Sequence, residues 1–209
     1  LGDVYKRQIG VRANGGRPGA AENSLHFYKA IATISCNDFL LNNNINCSFI
    51  DARNCIKTNS KYRGAKVEWD ITNKKIKEYI RDSKISVTQG FIGSDKNNFT
   101  VTLGREGSDY SAAIFAYVLN AESLSIWKDV PGLLNADPKF FSNTKLLNQI
   151  SYSETIELAF YGASIIHPKT LQPLQKKEIP LLVKSFKNPQ SKGTIISKGI
   201  AVSYTHLRA

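Results

Sequence analysis

Residues 101–122 read VTLGREGSDYSAAIFAYVLNAE. The stretch opens on the β-branched pattern of a strand and turns through Gly104 and Gly107. It closes on a run that places Ala112, Phe115, Ala116 and Leu119 at helical spacing. A strand passing through a glycine turn into a helix is the repeating unit of an α/β sheet, and ligands gather there beyond the carboxyl ends of the strands. A plain connection needs only a glycine and a cap, yet this one also carries Arg105, Ser108 and Asp109. The helix that follows offers N–H groups and partial positive charge to an anion, and Arg105 adds a planar fork suited to a carboxylate or phosphate. The plainer reading is a glycine turn with Ser108 as N-cap and Asp109 favouring the helix dipole. The spacing is not a phosphate-binding G-x-x-x-x-G-K-[ST] loop, and it does not fit the G-x-G-x-x-G dinucleotide pattern.

The flanking sequence repeats the same alternation. Phe27 to Leu41 carries Ile31, Ile34, Leu40 and Leu41 at roughly helical spacing, and a short buried strand is predicted over Cys47–Asp51. WDITNKKIKEYIRDS predicts an amphipathic helix capped by Asp70 or Thr72, with Ile76, Tyr79 and Ile80 on one face. KISVTQGFIG predicts one buried strand, SDKNN a turn and FTVTL another strand. Further on, SLSIWKD predicts a strand, VPGLLNADPKFF a long loop, and SYSETIELAFYG a helix capped near Ser153 and stopped by Gly162. HPKTLQPLQKK predicts a short helix interrupted at Pro173, and IPLLVKSF a final strand. Trp127 and Phe115 are core candidates, and His167 is expected to do no more than start a helix before Pro168. The pattern predicts a single α/β domain with a mainly parallel sheet.

Composition narrows the class. The chain has 209 residues, 42% of them hydrophobic and 22% charged, as in soluble globular proteins. No run of 18 apolar residues occurs, so no membrane span is expected, and no apolar signal segment opens the chain. Cys36, Cys47 and Cys55 are odd in number and lack C-x-x-C spacing, which predicts buried reduced thiols rather than disulfides or zinc. The net charge of +11 is spread along the chain with no basic run of five, so a nucleic-acid partner is not expected. There is no methionine and the first residue is Leu1, which predicts a piece of a longer protein. Residues 1–8 and 201–209 resemble translated sequencing-adaptor sequence and are not expected to contribute to the fold. The glycine-rich residues 9–25 are expected to be loop or damaged sequence.

Four motifs occur in order: VTQGFIGS, TLGREGSDYSAA, IWKDVPGLLNADP and FYGASIIHPKTLQPL. Together they resemble the aspartate kinases of the amino-acid-kinase family, over roughly residues 46–196, and look nearer to the single-function lysine-pathway enzymes than to the homoserine dehydrogenase fusions. The resemblance implies a three-layer αβα sandwich, truncated here to a partial catalytic domain over residues 26–200. It implies a cytoplasmic, homo-oligomeric enzyme of lysine, threonine and methionine biosynthesis that uses ATP and Mg2+ to phosphorylate the β-carboxylate of L-aspartate. Carried over residue by residue, Arg105 would grip the substrate α-carboxylate with help from Ser108. Phe91, Gly93, Gly104 and Gly107 would line the aspartate pocket. Asp109 would organise a catalytic lysine and the metal–phosphate cluster. Lys128, Asp129, Lys139 and Ser164 would meet the nucleotide, with no dedicated protein metal site. As plainer readings, Asp129 is a turn residue and Lys139 a solvated charge.

The chain also departs from the family pattern. The K-F-G-G-[ST]-[SN]-V loop, which supplies a phosphate-neutralising lysine, is absent, and HFYK stands near residues 26–29 where S-x-G-E is expected. Ser164 occupies a position where many relatives carry lysine, with Lys169 a neighbouring substitute. The resemblance implies C-terminal regulatory ACT domains, which are not expected within the residues given. These departures predict little or no turnover by the chain as given. The alternatives are another acid kinase, acting on glutamate, acetylglutamate or a nucleoside monophosphate, and a non-catalytic nucleotide- or anion-binding piece.

Overall fold

The computed structural model describes residues 8–12, 33–80, 85–138, 140–160 and 165–199. The chain is of the α/β class and divides into two compact units where the sequence suggested one domain. One unit comprises Ala13–Leu119, the other Leu1–Arg12 together with Asn120–Ala209. Among the described residues no helix is long and apolar enough to cross a membrane.

The unit holding the 101–122 motif is organised around its helix. It contains α1 (33–42), β2 (Ser48–Ile50), α2 (Ala52–Cys55), α3 (Trp69–Tyr79), β3 (Ser86–Thr88), β4 (Ile92–Ser94), β5 (Thr100–Thr102) and α4 (Gly107–Leu119). Strands β2 and β3 pair in parallel, and β4 and β5 form an antiparallel hairpin. Helix α4 is apolar on all sides and accordingly buried, with Ala112, Ala113, Ile114, Phe115, Ala116 and Val118 all inside. Its alanines let neighbours approach closely, and Trp69 of α3 meets Tyr117 edge-on with ring centroids 5.1 Å apart. Ile76 is the fully buried anchor of α3.

The second unit is built on one sheet. Its elements are β1 (Gln8–Arg12), β6 (Ser123–Lys128), β7 (Gln149–Ser151), α5 (Tyr152–Phe160), α6 (Pro168–Lys176), β8 (Leu181–Ser185) and β9 (Thr194–Ser197). The strand order is β1-β6-β8-β9-β7, antiparallel only between β8 and β9. Leu124 and Ile126 of β6 and Leu181 and Val183 of β8 alternate into the core with Ile196, and Leu171 and Leu174 of α6 are buried as well.

Several local expectations give way to tertiary contacts. Gln8, expected to lie outside the fold, and residues 9–12, read as loop, form β1, because the backbone pairs in parallel with Ser123–Trp127. KISVTQGFIG is not one strand; it breaks at Gln89–Phe91, and β3 and β4 join different sheets. Phe91 at the break has φ 80°. Neither Asp70 nor Thr72 caps α3: the N-cap is Glu68, and the Thr72 hydroxyl instead exchanges hydrogen bonds with the Lys57 backbone at 3.0 and 3.1 Å. Tyr79, placed on the apolar face, is exposed. In α1 Ile34 and Leu41 are exposed while Asn37 is buried, its side-chain oxygen accepting from the Cys47 thiol. Residues 27–32, the start of that predicted helix, lie outside the described residues, as does Gly162.

Helix α5 is capped by Ser151, not Ser153. The Glu154 N–H donates to Ser151 Oγ (3.1 Å), and the Ser151 N–H and hydroxyl both donate to the Glu154 carboxylate (2.9 and 2.6 Å). Helix α6 runs through Pro173 without interruption, since Thr170, Leu171, Pro173 and Leu174 are all buried and that packing outweighs one missing backbone bond. Phe115 is buried as expected, whereas Trp127 is half-buried with the Lys184 ammonium 5.0 Å from its ring centre. Cys47 and Cys55 are buried but Cys36 is exposed, and all three are free thiols.

Candidate active site

Two sequence motifs meet at the first turn of α4. Residues Leu103–Glu106 carry the chain from β5 into the helix, and the Gly107 N–H donates to Gly104 O (3.0 Å). Gly104 sits at φ 83°, a conformation that glycine adopts without cost. The Gln89–Phe91 break folds against this turn. A Cβ on Gly90 would stand 3.0 Å from Ser108 Cα and 3.3 Å from its hydroxyl, and a Cβ on Gly107 would stand 2.7 Å from the Phe91 ring. Gly90 of TQGF and Gly107 of LGREGSD are thus the residues that let the two segments touch, whereas Gly104 faces Gly64.

Around this contact the predicted residues take distinct positions. Arg105 is exposed at the turn, Ser108 and Phe91 are half-buried, and Asp109 is 2% exposed in the first helical turn. Ser108 lies inside the helix, which starts at Gly107, so the N-cap reading of that serine does not hold. Asp109 near the helix N-terminus is the favoured sign for the dipole. Gly93 lies in β4 and is buried; a Cβ there would be 2.6 Å from Ile56 O, so its lack of a side chain serves packing against α2.

Two contributors went unnoticed in the sequence. Gln89, 3% exposed, accepts the Ala52 N–H at 2.8 Å and anchors the break to α2. Ser111, 2% exposed, accepts the Phe91 N–H at 2.8 Å and donates to Gly107 O at 2.8 Å. A hydroxyl four residues beyond the first helical glycine was the visible signal for Ser111.

In the other unit, Lys128 closes β6 half-buried and Asp129 follows it exposed. Parallel pairing puts Lys128 beside Ser185 and Trp127 beside Lys184, so the two lysines stand at the carboxyl ends of neighbouring strands but on opposite faces of the sheet. Gly132 of KDVPG is a packing glycine, since a Cβ there would be 2.5 Å from Thr194 Oγ1. His167 N-caps α6, its Nδ1 accepting the Lys169 N–H at 3.1 Å, which is the plain role expected of it. Burial lowers the pKa of the half-buried Lys169 ammonium. Lys139 and Ser164 lie outside the described residues. Among the described residues no group of three His, Cys, Asp or Glu could hold a metal ion.

Residues 26–185 match the model of the amino acid kinase family. The chain belongs to that family. Relatives within it include the bifunctional aspartokinase/homoserine dehydrogenase of Buchnera aphidicola, 38% identical over 159 residues, which cover 75% of this chain and 20% of the relative. Lysine-sensitive aspartokinase 3 of Escherichia coli is 32% identical over 183 residues, covering 86% of this chain and 40% of that protein. The crystal structure of E. coli aspartokinase III in complex with aspartate and ADP superposes with a TM-score of 0.76 at 33% identity, covering 81% of this chain and 39% of that one. This amino acid kinase chain therefore spans about a fifth to two fifths of the length of these relatives. The identities do not favour single-function enzymes over fusions, contrary to the nearer resemblance suggested by the motifs.

Proposed function

We propose that the chain carries the aspartate-binding turn and part of the nucleotide edge of an aspartate kinase, which transfers the γ-phosphoryl group of ATP to the β-carboxylate of L-aspartate. The observation that supports this most is the contact of TQGF with LGREGSD at the first turn of α4, with Arg105 exposed beside it. An aspartokinase crystallised with aspartate and ADP shares this fold at 33% identity.

In this reading Arg105 pairs with the substrate α-carboxylate through its planar fork, and Ser108 supports it from the helix. Phe91, Gly104 and Gly107 shape the turn around the amino acid, and Gly93, packed in β4 behind Phe91, supports it without lining it. The β-carboxylate is already ionised near neutral pH, so Asp109 has no proton to remove and acts as a positioning group. Lys128, half-buried at the carboxyl end of β6, fits a phosphate-bearing ligand in charge. Mg2+ needs only one or two carboxylates when phosphates supply its other ligands, and the exposed Asp129 at this edge fits that need. Bound Mg·ATP supplies the phosphoryl group and the charge that offsets its oxygens. Lys128 and Asp129 hold the nucleotide from the β6 end, and Lys139 and Ser164 belong to the same proposed set.

Isothermal titration tests the assignment. The chain is expected to bind L-aspartate more tightly than L-glutamate, and Arg105→Ala to weaken L-aspartate by about 10- to 100-fold, the range for a charge-assisted hydrogen-bonded pair. Undiminished affinity in Arg105→Ala, or preference for glutamate, contradicts it.

A further inference from the structure

We propose that Ser111 is a positioning residue that clamps the Gly90–Phe91 turn to the first turn of α4 and so keeps the substrate turn in register; this rests on the aspartate kinase reading above.

Phe91 is a non-glycine residue at φ 80°, a conformation that persists only where the surroundings over-determine it. Three contacts do so. The Phe91 carbonyl accepts the Leu103 N–H at 2.9 Å, the Phe91 ring lies against Gly107, and the Phe91 N–H donates to Ser111 Oγ at 2.8 Å. The Ser111 hydroxyl spends its own proton on Gly107 O one turn earlier, at 2.8 Å. A single buried oxygen thus joins the strained turn to the helical turn that carries Ser108 and Asp109. Carbonyl back-bonding alone would not explain the geometry, because Gly107 O needs no second donor while the part-buried Phe91 N–H has this hydroxyl as its acceptor. Ser111 touches neither reacting group. It acts through Phe91.

The test compares the unaltered chain with Ser111→Ala and Ser111→Thr, the latter because threonine can back-bond a helix carbonyl with the same oxygen. Amide hydrogen exchange and L-aspartate titration are read together. Ser111→Ala removes volume and favours helix, so it folds. In it the Phe91 amide is expected to exchange about tenfold faster relative to the amides of α4, and L-aspartate affinity to fall about tenfold, as for one lost buried hydrogen bond. Ser111→Thr restores both. If Ser111→Ala speeds all α4 amides equally, or changes neither Phe91 exchange nor affinity, the clamp is refuted whatever Ser111→Thr does. If the unaltered chain binds no L-aspartate yet the Phe91 amide responds as expected, the aspartate kinase reading falls and the clamp stands.

Discussion

Replacing Gly93 by alanine separates two reasons for a glycine in GFIG. If the residue is glycine to let a ligand approach, the added methyl lowers affinity and leaves stability alone. The structure gives a different reason. The new Cβ would lie 2.6 Å from Ile56 O and 3.1 Å from Ile56 Cγ2, whereas a carbon–oxygen contact settles near ~3.3 Å, so the two must part by roughly 0.7 Å. Neither side yields freely. Ile56 O also accepts the Ser94 N–H at 2.9 Å, Ser94 O accepts the Thr58 N–H at 2.9 Å, and Gly93 is paired with Val101 in the hairpin. Overpacking costs about 1–3 kcal/mol and loss of the shared hydrogen bond about 1 kcal/mol, giving about 2–4 kcal/mol. For a chain of this size that corresponds to a Tm lowered by about 4–16 °C in a circular dichroism scan. A Tm within about 1 °C of the parent, accompanied by lost L-aspartate binding, would refute the packing argument.

Other expectations follow from local geometry. Ser151→Ala should lower stability by about 1 kcal/mol in urea unfolding, and adding Glu154→Ala should cost less than the sum of the two, since both belong to one capping box; strict additivity contradicts the box. Of the three cysteines only Cys36 should react quickly with a thiol reagent at about pH 8, because Cys47 and Cys55 are buried and burial, with Asp51, pushes the Cys55 thiol up to about 12; two fast thiols would contradict the assignment. The same shift makes the fold alkali-sensitive. Burial also raises the Tyr110 phenol, and burial with Glu178 pushes Tyr152 up to about 12. The unfolded chain ionises these groups first, so their stabilisation is complete below about pH 9 and is lost as pH rises towards 12. The urea midpoint should fall across that window, and a flat midpoint contradicts the burial of these groups.

The α/β class was legible because glycine punctuation and apolar periodicity are local signals, and the helix after LGREG is where periodicity placed it. Arg105, Ser108 and Asp109 could be singled out for the same reason: polar groups in a turn that needs none. What was not legible depends on partners distant in sequence. The break at Gln89–Phe91 exists because Ser111, twenty residues on, accepts the Phe91 N–H, and because Gln89 reaches Ala52. The cap of α3 moved because Thr72 found Lys57. Residues 9–12 carry no strand signal of their own and become β1 only through pairing with β6. Pro173 breaks helices in isolation, and in α6 its burial decides otherwise.

The central claim is that the amino acid sits where TQGF meets LGREGSD. Backbone amide shifts recorded during an L-aspartate titration test it most directly. The account predicts saturable changes concentrated at Gly90, Phe91, Gly104, Arg105, Gly107 and Ser108, moved to about 10- to 100-fold higher L-aspartate in Arg105→Ala. Saturable changes centred elsewhere, with these six amides unmoved, would contradict it.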